Sequence, residues 1–299
     1  LINYMSQILV ELVKFANLII LLSKASACAK RINEIFDIKC SLKGGSKELD
    51  LSDCSGDIIS FENVGFAYPK AKEEALSDIS FSIKKGETIG IIGGTGSGKS
   101  SLINLIPRFY DISRGKIKLA GKDIKEYSLE SIRENIALVE QKSRLFRGDI
   151  KSNLLWGDNN ASEQELYEAA TIAQAADVIN SKENKLNSEV AMYGNNFSGG
   201  QKQRISIARA MLKDAPIVIF DEATANIDPE NEDKLKAAIE ELTKNKTIIM
   251  IAHRLSTIKS ADCIMVIEGG RIIERGNHEE LLQKQGRYHQ LYTGATTLS

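Results

Sequence analysis

The chain has 299 residues, 42% of them hydrophobic, and 39 basic against 40 acidic side chains give a formal net charge of -1. That is enough for one large α/β domain plus an appendage, and the balance disfavours a strongly basic surface built to wrap nucleic acid. Four cysteines, Cys28, Cys40, Cys54 and Cys263, lack Cys-x-x-Cys spacing, so neither a zinc site nor a disulfide framework is indicated and a reducing compartment fits better.

From Leu1 to about Leu22 the chain is mostly apolar, with Asn3, Gln7, Glu11, Lys14 and Asn17 recurring three or four residues apart on one helical stripe. Such a stretch could cross a bilayer with its polar stripe facing a bundle interior or a wet cavity. A soluble amphipathic helix docked on the domain is the alternative, because Glu11 and Lys14 are costly in lipid unless paired or wetted. In the membrane reading, Lys24, Lys30 and Arg31 put the following segment on the cytoplasmic side. No charged leader and cleavage site precede the apolar run, so it is not expected to be a signal peptide, and the chain reads as a fragment.

Periodicity then breaks down between Cys40 and Asp57 into Lys43-Gly44-Gly45-Ser46 and Ser52-Asp53-Cys54-Ser55-Gly56, which predicts a linker over 40–56. Beyond it, strand-like runs at Ile58 to Phe61 and Ile79 to Ile83 lead into buried strands alternating with helical segments, the pattern of a parallel sheet.

The β-rich run Thr88 to Ile92 is followed directly by Gly93-Gly94-Thr95-Gly96-Ser97-Gly98-Lys99-Ser100 and a helical segment from Ser101. This is a P-loop in its required strand-to-helix context, and it predicts binding of a nucleoside triphosphate, ATP above all. Glycines let backbone amides close around phosphate oxygens, Lys99 reaches the β and γ phosphates, and Ser100 supplies a ligand to Mg²⁺. Ser101 is counted with the same cradle.

Two further apolar runs end in polar residues. Ile217 to Phe220 ends in Asp221-Glu222, and unbroken hydrophobicity is what burial on both faces of a parallel sheet requires. At that sheet edge Asp221 can hold Mg²⁺ and Glu222 can polarise the attacking water. Thr247 to Ile251 ends in Ala252-His253, which places His253 near the γ-phosphate or the water's surroundings. His278 and His289, in polar C-terminal helical stretches, receive no role.

A kinase or GTPase could share these features. The segment Phe197-Ser198-Gly199-Gly200-Gln201-Lys202-Gln203-Arg204, at the start of a helix, resembles the signature of ABC-family ATPases. Its backbone amides would make a second anion site. In that family the signature faces the nucleotide of a partner domain, so the resemblance implies that Ser198, Gly199, Gly200 and Gln201 serve ATP held by another chain. The resemblance covers roughly Asp57 to Gln290. It implies that Tyr68 stacks on adenine, that Gln141 joins the Mg²⁺ and water shell, and that Asp228 lies at the dimer seam. A soluble ABC ATPase acting on DNA or the ribosome is the alternative within the family, although the chain has neither tandem cassettes nor a coiled-coil insertion.

The N-terminal stretch, from Asn3-Tyr4-Met5-Ser6-Gln7-Ile8-Leu9 through Ala25-Ser26-Ala27 to Arg31-Ile32-Asn33-Glu34, resembles the last transmembrane helix of ABC exporters and its cytosolic extension. The implied fold class is α/β: a RecA-like P-loop NTPase core with an antiparallel β subdomain and a helical signature subdomain at about 148–212, preceded by one long transmembrane helix. Residues 1–39 would be that helix and its extension, and 57–299 the ATPase domain, in the cytoplasm beneath a cell membrane. The implied partners are the missing transmembrane helices, an exported substrate and a second half-transporter. Phe197 in place of the usual leucine, Ala225 in place of a serine, and Ala191-Met192-Tyr193 in place of a Gly-Glu-Gly-like stretch depart from the family pattern. Phe197 and the first helix resemble halves of heterodimeric exporters, so a heterodimer is expected over a homodimer.

Overall fold

A computed structural model describes residues 2–37, 42–52, 54, 56–222, 237–252 and 255–296. His253 and Asp228, together with Cys40, Asp53, Ser55 and Ala225, lie outside the described residues. The chain divides into two compact units, Leu1–Lys43 and Gly44–Ser299.

The first unit is a helix, α1 (Ile2–Phe36), of 35 residues. At 1.5 Å per residue it is about 52 Å long, against a hydrocarbon thickness of about 30 Å. By length and composition it can cross a membrane, and none of its residues is buried. Several of its polar groups are satisfied locally: Lys14 pairs with Glu11 at 2.7 Å, and Ser6 and Ser23 donate to the carbonyls of Ile2 and Ile19 one turn back. Local pairing of this kind lowers the cost of polar groups in lipid.

In the second unit, an antiparallel sheet contains β1 (Asp57–Phe66), β2 (Leu76–Lys84), β4 (Arg114–Leu119) and β5 (Lys122–Asp123), in the order β2-β1-β4-β5. Apolar residues of β1 and β2 face a core in which Phe61 stacks on Phe81. The larger sheet contains β3 (Thr88–Ile92), β6 (Ile136–Val139), β9 (Ile217–Asp221), β10 (Thr247–Ile251), β11 (Cys263–Glu268) and β12 (Arg271–Gly276). Its order is β12-β11-β3-β10-β9-β6, and every pairing is parallel except β11 with β12. The predicted runs Thr88–Ile92 and Thr247–Ile251 are observed with those bounds, and Ile217–Phe220 extends by Asp221. Strands β3, β9 and β10 are mostly buried along their length, which is why they are dominated by Ile, with Val and Phe in β9 and Met in β10, and do not alternate with polar residues.

Beside this sheet lies a helical layer of α4 (Ile150–Leu155), α5 (Glu163–Ile172), α6 (Ala176–Asn180) and α7 (Gly199–Lys213), with a short ribbon of β7 (Gly148–Asp149) and β8 (Glu189–Val190). Capping boxes start α4 (Asp149 with Ser152), α5 (Ser162 with Glu165) and α7 (Ser198 with Gln201). One apolar cluster joins α4, α5 and α7 to the outer half of the sheet, and another joins the antiparallel sheet to β3 and to α2 (Lys99–Leu105).

The stretch read as a linker is only partly one. Residues from Gly44 onward belong to the second unit, and Leu49 and Leu51 are buried in its core. The Gly45 amide donates to the Tyr127 carbonyl at 2.8 Å, the Ser128 amide to the Lys47 carbonyl at 2.9 Å, and the Leu49 amide to the Ser131 hydroxyl at 2.6 Å. Two leucines two residues apart place both side chains on one face of an extended segment, a signal masked by the surrounding Gly, Ser and Asp.

Candidate functional site

Parallel pairing sends the C-terminal ends of β3, β6, β9 and β10 to one edge of the sheet, with Ile251 in register with both Ile91 and Asp221, and Val139 opposite Phe220. The segments that follow these strands therefore emerge side by side, the arrangement in which open α/β sheets bind ligands. A cleft of about 540 Å³ at this edge is lined by Thr95 to Ser101, Tyr68, Ala75, Gln141 and Glu222.

Gly93–Ser100 wraps from β3 into α2, with left-handed backbone at Gly96 (φ 76°) and Gly98 (φ 105°). A loop with glycines in such conformations can turn successive amides inward. Lys99 is buried, and its Nζ donates to the carbonyls of Gly93 at 2.9 Å and Gly94 at 3.0 Å. Burial lowers the pKa of its ammonium, and the nearby carboxylates of Glu222 and Asp221 act in the opposite direction. Ser101, the next residue but one, shares a 3.0 Å hydrogen bond with the Tyr68 hydroxyl. The Tyr68 ring in turn meets Phe66 and Tyr110 edge-on, at centroid distances of 4.8 and 5.2 Å, so this residue of the cleft wall rests on an aromatic base.

Asp221 and Glu222 follow the end of β9, and the Glu222 amide donates to the Ile251 carbonyl at 3.1 Å. Glu222 has φ 52°, unusual for a residue with a side chain, and is buried; its carboxylate accepts a hydrogen bond from Gln141 Nε2. Burial raises the Asp221 pKa, with a further push from the Glu222 charge; Ser100 and Lys99 oppose both. One Asp221 oxygen, Oδ1, is buried without a hydrogen-bond partner. An orphaned buried carboxylate oxygen, with the Ser100 side chain hydrogen-bonded to the same carboxylate and Ser100 and Gln141 expected from the sequence as co-ligands, is the donor chemistry of a hard divalent cation such as Mg²⁺. Among the described residues no group of three or more His, Cys, Asp or Glu side chains converges into a protein-only cage. The donors thus suit a cation that takes its remaining ligands from phosphate and water.

Ser198, Gly199, Gly200 and Gln201 do not line this cleft. They open α7 with Ser198 and Gly199 exposed, and a Cβ on Gly199 would meet nothing within 4 Å. Phe197, the departure from the family pattern, is buried, with Lys182 Nζ 4.9 Å from its ring centroid. Sequence reasoning assigned nothing to Gln203. It is buried in α7, accepts from the Ser143 hydroxyl at 2.5 Å and donates to the Glu140 carbonyl at 3.4 Å, so it ties the signature helix to the segment carrying Gln141. Ala75 was also missed, because an alanine carries no chemical signal.

A family model described as ABC transporter matches residues 76–225, which include the P-loop, Gln141, the signature and Asp221-Glu222. The chain belongs to the ABC transporter family. An ATP-dependent lipid A-core flippase of Methylobacillus flagellatus is 45% identical over 267 residues, 89% of this chain and 45% of the flippase. The protein of that name from Pectobacterium atrosepticum is 44% identical over 270 residues, 90% of this chain and 46% of the relative. A solved structure of a bacterial Atm1-family ABC exporter with ATP bound superposes with a TM-score of 0.83 at 33% identity, covering 91% of this chain and 47% of that one. The chain therefore spans about half the length of the curated relatives it matches. Its fold is the α/β fold of an ABC ATPase with one long apolar N-terminal helix.

Proposed function

We propose that this chain is the ATP-binding and hydrolysing part of an ABC exporter half-transporter, with residues 57–299 as its nucleotide-binding domain and residues 1–39 as the last transmembrane helix and its extension. The observation that carries this reading is the division of labour within one ABC domain. Lys99, Ser100, Asp221, Glu222, Gln141 and Tyr68 gather at one sheet edge, whereas Ser198 to Gln201 open a helix outside that cleft. A site so divided is completed by the signature of a second chain.

In this reading the amides of Gly93 to Gly98 and the Lys99 ammonium bind the phosphates of ATP, and Tyr68 stacks on the base. Asp221, Ser100 and Gln141 would hold Mg²⁺, which when bound neutralises charge on the β and γ phosphates. Glu222 orients and polarises the water that attacks the γ phosphorus, releasing ADP and phosphate, with His253 beside the γ-phosphate and Asp228 at the seam between domains. Closure of two domains on ATP, and reopening after hydrolysis, would drive alternating access in attached helices of a cell membrane, the ATPase domain lying in the cytoplasm. The polar stripe of α1, with its Glu11 and Lys14 pair, supports a helix that faces a wet cavity. We favour a heterodimer on the strength of Phe197 and the first helix. The flippase relatives make a lipid-like amphiphile the first class of exported substrate to test.

A shared site has a kinetic signature. Specific ATPase activity of the full chain in detergent, alone or mixed with a second half-transporter, is expected to rise with protein concentration and vanish on dilution; activity of the lone chain independent of concentration would overturn the shared site, and absence of ATP binding would overturn the nucleotide reading. Tyr68→Ala should weaken ATP binding by about 2- to 10-fold in calorimetric titration, the worth of one aromatic stacking contact. Equal affinity in the variant would remove Tyr68 from the base site.

A further inference from the structure

The turn between β11 and β12 has no place in the phosphate chemistry described so far, yet it touches the P-loop at both ends. Strand β11 pairs with β3 as far as Val266 opposite Ile92 and then continues beneath the loop. A Cβ on Gly93 would lie 2.1 Å from the Ile267 carbonyl oxygen, so the loop's first residue rests directly on β11 backbone. At the other end the Gly270 amide donates to the Ser97 carbonyl at 3.0 Å, and a Cβ on Gly98 would lie 3.6 Å from Gly270 Cα. The Gly270 carbonyl accepts from the Ser77 amide at 2.9 Å, which links the turn to the start of β2 beside Ala75, a residue of the cleft wall.

We propose that Gly270 is a positioning residue for ATP binding: it bridges the end of the phosphate loop to the β2 side of the cleft and holds the loop in the shape its amides need. The inference rests on the nucleotide reading above. Its physical basis is that a glycine-rich loop loses affinity through the entropy of ordering unless backbone contacts order it beforehand. The fit at Gly270 is close, since a Cβ there would lie 2.6 Å from the Ala75 carbonyl oxygen. Its neighbour Gly269 has a positive φ of the same kind, 54° against 74°, but a Cβ there would meet nothing within 4 Å. Gly269→Ala therefore carries the backbone strain without the collision.

The test compares Gly270→Ala with Gly269→Ala in the full chain in detergent, using calorimetric titration with magnesium ATP, steady-state hydrolysis and thermal unfolding. Gly270→Ala is expected to raise Kd and KM about tenfold while kcat at saturation stays within about threefold, the scale of one net hydrogen bond lost from the bridge. Gly269→Ala should bind within about twofold of wild type, and the two variants should unfold at similar temperatures. Equal binding in Gly270→Ala and wild type, or equal losses in both variants, overturns the bridge while leaving the nucleotide reading intact. A wild-type chain that binds no ATP overturns both. Should Gly270→Ala fail to fold, hydrogen exchange in wild type decides: ATP is expected to slow exchange of the Gly270 and Ser77 amides, and unchanged rates overturn the proposal.

Discussion

Glu222→Gln is expected to lower ATP hydrolysis by about 10²- to 10⁴-fold, the scale of a lost general base, while ATP binding changes by no more than a few-fold. The substitution is conservative at this position. Glutamine keeps an oxygen that can accept the hydrogen bond from Gln141, and the left-handed backbone at residue 222 places the same demand on either side chain. What is lost is the carboxylate that would orient and deprotonate water. A variant that binds but does not hydrolyse should accumulate in the ATP-bound closed form, visible as a dimer on size-exclusion chromatography. Dimers formed by this chain alone would establish a homodimer; dimers formed only with a second half-transporter would establish the heterodimer. Undiminished steady turnover would remove Glu222 from the chemistry.

Asp221→Asn is expected to separate stability from activity. Burial and the neighbouring Glu222 charge raise the Asp221 pKa above the ordinary aspartate value. For a carboxyl raised in the folded state, the stabilising contribution is fully present below the unfolded-state pKa and is lost as pH rises through the folded-state pKa. At neutral pH the ionised form is therefore a cost to the fold, and asparagine relieves it. In the presence of a chelator, the variant should melt at or above the wild-type temperature at neutral pH, with the difference shrinking as pH falls and Asp221 takes up its proton. Hydrolysis with Mg²⁺ should fall by about 100-fold or more in the same protein, because a neutral amide is a poor ligand for a hard cation. A variant that melts well below wild type at neutral pH, or that retains its hydrolysis, would contradict the assignment.

Most of the sheet edge was legible in the amino-acid sequence, and the reason is burial. A strand covered on both faces must be continuously apolar, so Thr88–Ile92 and Thr247–Ile251 stand out from their surroundings and end where polar chemistry begins. The signature was legible because its capping box and paired glycines are local in sequence. Legibility failed where function depends on contacts far apart in the chain. Leu49 and Leu51 sit in a stretch whose composition resembles a linker, and only burial and the bonds of Leu49 to Ser131 and Asn135, and of Leu51 to Lys85, reveal the packing. Gln203 stands inside the quoted signature, but its bridge to Glu140 and Ser143 crosses some 60 positions. Gly270 looks like an ordinary turn glycine until the carbonyls of Ala75 and Ser97 are placed around it.

Strand β12 is the rim of the larger sheet, where a row of backbone donors and acceptors would ordinarily face outward. Here Arg275 reaches the Ser82 carbonyl at 3.2 Å, the Ser77 amide bonds Gly270 just before the strand, and the strand carries three charged side chains, Arg271, Glu274 and Arg275. A rim that is stitched to the neighbouring sheet and lined with charge offers a poor template for a strand from another copy. Two such domains therefore gain little by fusing their sheets into one, and association along this rim is disfavoured.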